Sequence, residues 1–423
     1  MHKLTQLISA DMCPALGVTE PGAIAFSVAK AKEQTEGELL AIHVVLNSGM
    51  YKNAYTCGIP NSLFYGNEYA AALGYVAADA SRGLECLSGV KAADNKQARQ
   101  LVREGRVKVE LGEISSRLSI TTTIETNHGT ARVCIEDTHT HIVRIEKNGV
   151  TVFESAKTQQ KDPDSKPPII HTYSLRQIFN YVRRVDISEL SFIRKAYDIN
   201  LQLFAESLRS GRTPFTHHLY RKNGDRILSD DETLTASLLS GGAIEARVLG
   251  LSRPAMSITG SGAHGIIATL PLYAVQQLGG LSDEALLRAT ALSFLICMYI
   301  KEYSGRLSAF CGCAIAAGTG AACAIAYLKG GGYKELVLTL QNMASSITGM
   351  ICDGGNHGCT MKAIVGVDAA FQSAGFALDG IVIENIHGIN GKTPEETMRN
   401  MGLIASPGMT QTEKVIVDIM QHK

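Results

Sequence analysis

A chain of 423 residues is too long for one compact core, so two or three domains are expected. Lysine plus arginine balances aspartate plus glutamate at 40 each, aromatics are 6% with no tryptophan, and no basic run stands out; nucleic acid and anionic membrane surfaces are excluded as expected partners, leaving a small molecule. Ten cysteines at irregular spacings, without a leader peptide ahead of them, point to the reducing cytoplasm, where thiols stay free or bind metal.

After the breaking Pro14, Ala, Val and Ile fall on one face of a helix over Gly22 to Glu33. Residues 1–40 are read as an N-terminal helical segment that packs on the C-terminal domain. Ala41 to Leu46 alternates as a strand does, Asn47-Ser48-Gly49 is a turn signal behind it, and Asn61 to Ala80 returns to a helical pattern. From Val107 to Ser155 the period changes to two, giving strands at 107–111, 131–136, 142–146 and 151–154. Residues 41–157 thus form a small mixed α/β domain. Thr158 to Pro168 gathers Gln, Lys, Asp, Ser and three prolines with nothing apolar to bury, which marks a boundary. Residues 169–423 read as a large, mostly helical domain, with amphipathic stretches at Ile187 to Leu208 and Thr233 to Leu249 and about five further helices from Ser282 onward. The fold class is α+β. The uncharged run between Arg306 and Lys329 is rich in Gly and Ala rather than Leu, so it reads as a close-packed core helix and not as a membrane span.

Chemistry concentrates late in the chain. Cys313 stands in Cys311-Gly312-Cys313 ahead of a small-residue helix, and Cys352 and Cys359 bracket Cys352-Asp353-Gly354-Gly355-Asn356-His357-Gly358-Cys359. A glycine loop bends sharply and brings backbone N–H groups to sulfur, and three thiolates suit a metal cluster with one open corner. On a regular helix Cys311 points away from Cys313, which makes it a substitute ligand. Zinc held by three cysteines and His357 is the competing metal reading, although a spacing of seven between Cys352 and Cys359 fits zinc patterns poorly. Thr259-Gly-Ser-Gly-Ala-His-Gly265 precedes an apolar helix, where Ser261 is either a cap or part of an anion site for a carboxylate. Lys301, Glu302 and Arg306 sit between two apolar helices; such charges pair with one another, or a desolvated Lys301 accepts a proton.

Taken together, Ala15-Leu-Gly-Val-Thr-Glu-Pro21, the 259–265 turn, Tyr299-Ile-Lys-Glu-Tyr-Ser-Gly-Arg-Leu-Ser-Ala309, Cys311-Gly-Cys313, Thr348-Gly-Met-Ile-Cys-Asp-Gly-Gly355 with Cys359 and Lys362, and Gly408-Met-Thr-Gln-Thr-Glu-Lys414 resemble the L-cysteine desulfidases, related to the α part of iron–sulfur L-serine dehydratases. The resemblance spans the chain. It implies a carbon–sulfur lyase with a 4Fe–4S cluster on Cys313, Cys352 and Cys359, taking cysteine to pyruvate, ammonium and sulfide, with serine dehydration as the alternative. Asn47, Ser48, Ser261, His264 and Arg306 are then expected at the substrate, and Lys301 or His357 as the base. The desulfidases usually carry a cysteine where this chain has Val18, so the cluster rests on the three later cysteines, or Cys13 reaches in, or the chain is a non-catalytic binding or scaffold protein of the same fold. The sequence does not fix the oligomeric state and leaves a homodimer open.

Overall fold

β-Branched residues on alternate positions make Leu39–Leu46 (β2) a strand, and it lies second from one edge of a six-stranded sheet. The computed structural model describes residues 1–155, 167–305 and 307–423. Besides β2 and a short first strand, Cys13–Leu16 (β1), the sheet region holds Val107–Leu111 (β3), Ser119–Thr126 (β4), Gly129–Glu136 (β5), Ile142–Lys147 (β6) and Val150–Glu154 (β7). The strand order is β3-β2-β4-β5-β6-β7, with β2 and β3 parallel and the other pairs antiparallel. The parallel pair needs a crossover. Helices Ser48–Ala54, Asn67–Val76 and Ala92–Arg103 supply it.

The four expected strands in 107–155 are present, and so is β2. One more, β4, lies between them as Ser-Ile-Thr-Thr-Thr-Ile-Glu-Thr, its Ile120, Thr122 and Ile124 fully buried beneath helix Thr19–Lys32, where Ser27 Oγ meets Thr122 Oγ1 at 2.7 Å. The reading of residues 1–40 as one segment on the C-terminal domain is corrected here, because the segment divides. Helix Lys3–Asp11 and β1 do lie on the helical body, β1 pairing antiparallel with Pro254–Ser257 (β8) from Cys13 opposite Ser257 to Leu16 opposite Pro254. Helix Thr19–Lys32 instead covers the sheet, because its Ala, Ile, Phe and Val positions match the apolar face of β4 and β5.

From Ser282 onward six α-helices stand among the described residues where about five were expected: Asp283–Ser304, Gly318–Leu328, Tyr333–Ile347, Gly358–Leu378, Pro394–Leu403 and Thr410–Gln421. The small residues of the uncharged run let backbones touch. A Cβ on Gly320 would come within 2.3 Å of the Ser293 carbonyl oxygen, so only glycine fits that crossing. No helix among the described residues is long and apolar enough to cross a membrane. Buried apolar side chains run without a break from Ile42 and Val44 in the sheet to Leu292 and Ile296 in the helices, so the two regions share one core among the described residues. Most of the expected boundary at 158–168 lies outside the described residues.

Candidate active site

Where the sheet region meets the helical body, loop and helix ends from eight parts of the chain face one cavity. Four thiols line it: Cys311, Cys313, Cys352 and Cys359. Two short segments bring them there. Phe310 and Ile351 form an antiparallel bridge, reinforced by Cys311 N–H donating to the Met350 carbonyl at 2.9 Å and Cys352 N–H to the Ala309 carbonyl at 2.6 Å, which sets Cys311 beside Cys352. Cys311 therefore belongs to this bridged segment and not to a helix, and helical periodicity does not govern it. Its Sγ lies 3.5 Å from that of Cys313, the first residue of a five-residue π-helical turn, Cys313–Ala317.

The thiols disfavour one another's ionisation. The hydrogen bond to Cys313 and then burial raise Cys311; burial raises Cys352; burial and then the Cys352 charge push Cys359 up to about 12. Burial and mutual repulsion thus hold Cys311, Cys352 and Cys359 toward the neutral thiol, and a cationic inorganic core is the kind of guest that would offset both penalties. Among the described residues no three His, Cys, Asp or Glu side chains are grouped to hold a metal ion.

A buried lysine holds this arrangement from behind. The Lys52 side chain has no solvent exposure, and its Nζ donates to the carbonyls of Ser308 at 3.1 Å and Cys352 at 2.9 Å and pairs with Glu413 Oε2 at 2.6 Å. Lys362 lines the cavity and pairs with Asp353 in the glycine loop.

Beside the Cys311–Cys313 segment, His264 accepts no proton readily. Burial comes first, then the charges of Lys301 and Arg247, in holding it well below the usual histidine range. The Thr259 hydroxyl donates to the Ile258 carbonyl at 2.7 Å, which leaves it to accept from His264 Nδ1 at 2.6 Å. The ring is therefore neutral, with its free lone pair on Nε2. A Cβ on Gly312 would come within 2.5 Å of that Nε2, so the glycine between the two cysteines is what lets the imidazole stand against the thiol segment.

Of the residues expected at the substrate, Ser261 and His264 line the cavity, and Ser261 stands at the N-cap of a six-residue helix, Gly262–Ile267, without a capping hydrogen bond from its side chain. Lys301 lines the cavity too, at the last turn of Asp283–Ser304. Asn47 and Ser48 are not part of this lining: the Asn47 amide donates to the Ser115 carbonyl and accepts from Ser119 N–H, and Ser48 bonds to Ser115, so both tie the loop after β3. His357 is exposed and packs edge-on against Phe215 outside the cavity. Cys13 is exposed and absent from the lining, whereas Val18 is part of it. Arg306 lies outside the described residues.

Three lining residues went unread in the sequence, Asn53, His139 and Arg247, and Glu20 figured only within the motif Ala15–Pro21, without a role at the site. Arg247 had a signal, as it and Glu245 are the buried charges of the otherwise apolar helix Glu232–Val248. Burial alone raises the Glu20 carboxyl, but attraction to His139 and Arg247 and the 2.8 Å bond from the Asn53 amide outweigh it and hold it down to about 2. A depressed carboxyl stabilises the fold above the ordinary carboxylate range and loses that contribution as pH falls toward the folded value. Between pH ~5 and ~2 this group is expected to contribute a loss of about 3 kcal/mol. Glu20→Gln is expected to flatten that part of the acid limb in urea denaturation series; an unchanged limb would contradict the assignment.

A profile of the family described as serine dehydratase alpha chain matches residues 81–418. The chain is 42% identical over 426 residues to a UPF0597 protein of Clostridium botulinum, covering 99% of this chain and 98% of the relative. It is 34% identical to a UPF0597 protein of Caldanaerobacter subterraneus, with coverage of 99% and 98%, and 32% identical to one of Alkaliphilus oremlandii, with coverage of 99% and 97%. All four thiols and Arg247, His264 and Lys301 fall inside the family match, while Val18, Glu20, Lys52 and Asn53 precede it.

Proposed function

Because this chain belongs to the serine dehydratase alpha chain family, we propose that it is a cytoplasmic lyase that removes the β-substituent of a small α-amino acid, with L-cysteine as the substrate. The observation that carries the reading is the meeting of four thiols, a neutral histidine and a buried lysine around one cavity. Cys313, Cys352 and Cys359 would hold a 4Fe–4S cluster, with Cys311 beside Cys313 as a further thiol. When bound, such a cluster supplies a Lewis acid for the β-thiol.

The protein's own groups divide the remaining work. Lys301 lines the cavity and, as the neutral amine after its ammonium has given up a proton, takes the Cα proton. The electron pair of the Cα–H bond becomes the Cα–Cβ double bond, and the Cβ–S pair leaves with sulfur as hydrosulfide. The Nε2 lone pair of His264 accepts a hydrogen bond from the substrate ammonium, while its Nδ1–H stays committed to Thr259. Val18, Leu307 and Phe310 supply apolar wall, which suits a polarizable thiol better than a hydroxyl. The aminoacrylate product tautomerises to an imine, and water completes it to pyruvate and ammonium.

Protein reconstituted without oxygen is expected to release sulfide and pyruvate in equal amounts from L-cysteine, with kcat/KM at least about tenfold above that for L-serine. Faster pyruvate formation from serine would move the substrate to the hydroxy amino acid. Product from neither would leave the chain as a binding protein.

A further inference from the structure

Two hydrogen-bonding groups in the cavity have nothing to bond. Arg247 is 5% exposed and His139 5%, and neither Arg247 Nε nor His139 Nε2 has a hydrogen-bond partner among the described residues. Native structures rarely leave buried donors unmet, since each costs free energy that a partner returns. Both residues line the cavity that holds Ser261 and His264. A Cβ on Gly262 would come within 2.8 Å of Arg247 Nε, so the guanidinium lies directly against the backbone that follows Ser261.

Resting on the amino-acid lyase reading, we propose that Arg247 and His139 form the seat for the free α-carboxylate of the substrate, so that the site accepts free amino acids and discriminates against amides, esters and peptides at that end. An arginine fork and a ring N–H offer a carboxylate two charge-assisted or polar contacts. Glu20 completes the pattern. Its Oε1 lies 3.9 Å from His139 Nε2, beyond hydrogen-bond reach, and its two oxygens already accept from Asn53 Nδ2 and Thr19 Oγ1. The carboxylate also limits which anion fits. A phosphate dianion placed on Arg247 and His139 meets Glu20 at close quarters, whereas a zwitterion sets its carboxylate on the two donors and its ammonium toward the negative and lone-pair-bearing groups, Glu20 and His264.

The test measures binding of L-alanine and L-alaninamide to the reconstituted holoprotein by calorimetry, since neither ligand has a leaving group and turnover does not intervene. The unsubstituted protein is expected to bind L-alanine about 100-fold more tightly than the amide. Arg247→Gln is expected to erase that preference while leaving the amide's affinity within about threefold, Arg247→Lys to restore part of it, and His139→Gln, which keeps the guanidinium, to reduce it about tenfold. Circular dichroism verifies that each variant is folded. A preference retained in folded Arg247→Gln and His139→Gln overturns the carboxylate seat alone, if the unsubstituted protein still converts cysteine. Absence of any preference in the unsubstituted enzyme overturns it likewise, and absence of both amino-acid binding and turnover removes the lyase reading with it.

Discussion

Cys352→Ser, purified and reconstituted without oxygen, is expected to retain only a small part of the roughly four irons per chain of a filled cluster, and to lose about 10³-fold or more in sulfide release. Serine is a hard, weakly acidic oxygen donor, a poor replacement for thiolate on iron. Cys352 is also the thiol most firmly built into the cavity, since its N–H bonds to Ala309, its carbonyl to Lys52, and its segment bridges to that of Cys311. Cys323→Ser serves as the control: that thiol is fully buried in helix Gly318–Leu328, faces the Leu336 carbonyl and does not line the cavity. Iron content should be unchanged there. Full iron in Cys352→Ser, measured beside Cys311→Ser, would transfer the ligand role to another thiol.

The second large effect concerns Lys52. Replacing it by Met leaves Glu413 buried without its cation, a situation that costs about 3–5 kcal/mol where it has been measured. Glu413 has nowhere to turn, because its Oε1 lacks any hydrogen-bond partner among the described residues. The same substitution removes the donors to Ser308 and Cys352, so faster iron loss should accompany the lower stability. Adding Glu413→Leu to Lys52→Met removes the stranded carboxylate and is expected to recover most of the stability but not the iron retention. Urea denaturation and iron release to a chelator separate the two consequences. A Lys52→Met protein within about 1 kcal/mol of the unsubstituted one would show that the pair contributes little.

What sequence reading reached and what it missed follow from how far each residue's surroundings lie along the chain. The strand at Val107–Leu111 alternates on its own, so it is visible locally. The β4 strand is just as regular, but its threonines weaken the apolar signal, and their burial depends on helix Thr19–Lys32 lying over them. The β1–β8 pair is two four-residue strands joined across most of the chain, and neither has length enough to announce itself. At the site, cysteines at both ends of a glycine loop were conspicuous because packing gives no reason for them. His357 shared that loop, yet the turn sends it out to Phe215, and only the folded backbone fixes that direction. Arg247, Glu20 and His139 acquire meaning only together, and they come from three separate parts of the chain. Asn47 carries a turn signal and stands at the N-cap position of helix Ser48–Ala54, but its amide makes no capping bond and is spent on Ser115 and Ser119.

The bond from Lys52 to Glu413 spans 361 positions. During vectorial synthesis the lysine emerges from the ribosome long before its partner, and the wall it braces has no closure until the final helix, Thr410–Gln421, has been made. On the proposed cluster reading, fragments of the chain that stop before that helix are expected to remain colourless after reconstitution without oxygen.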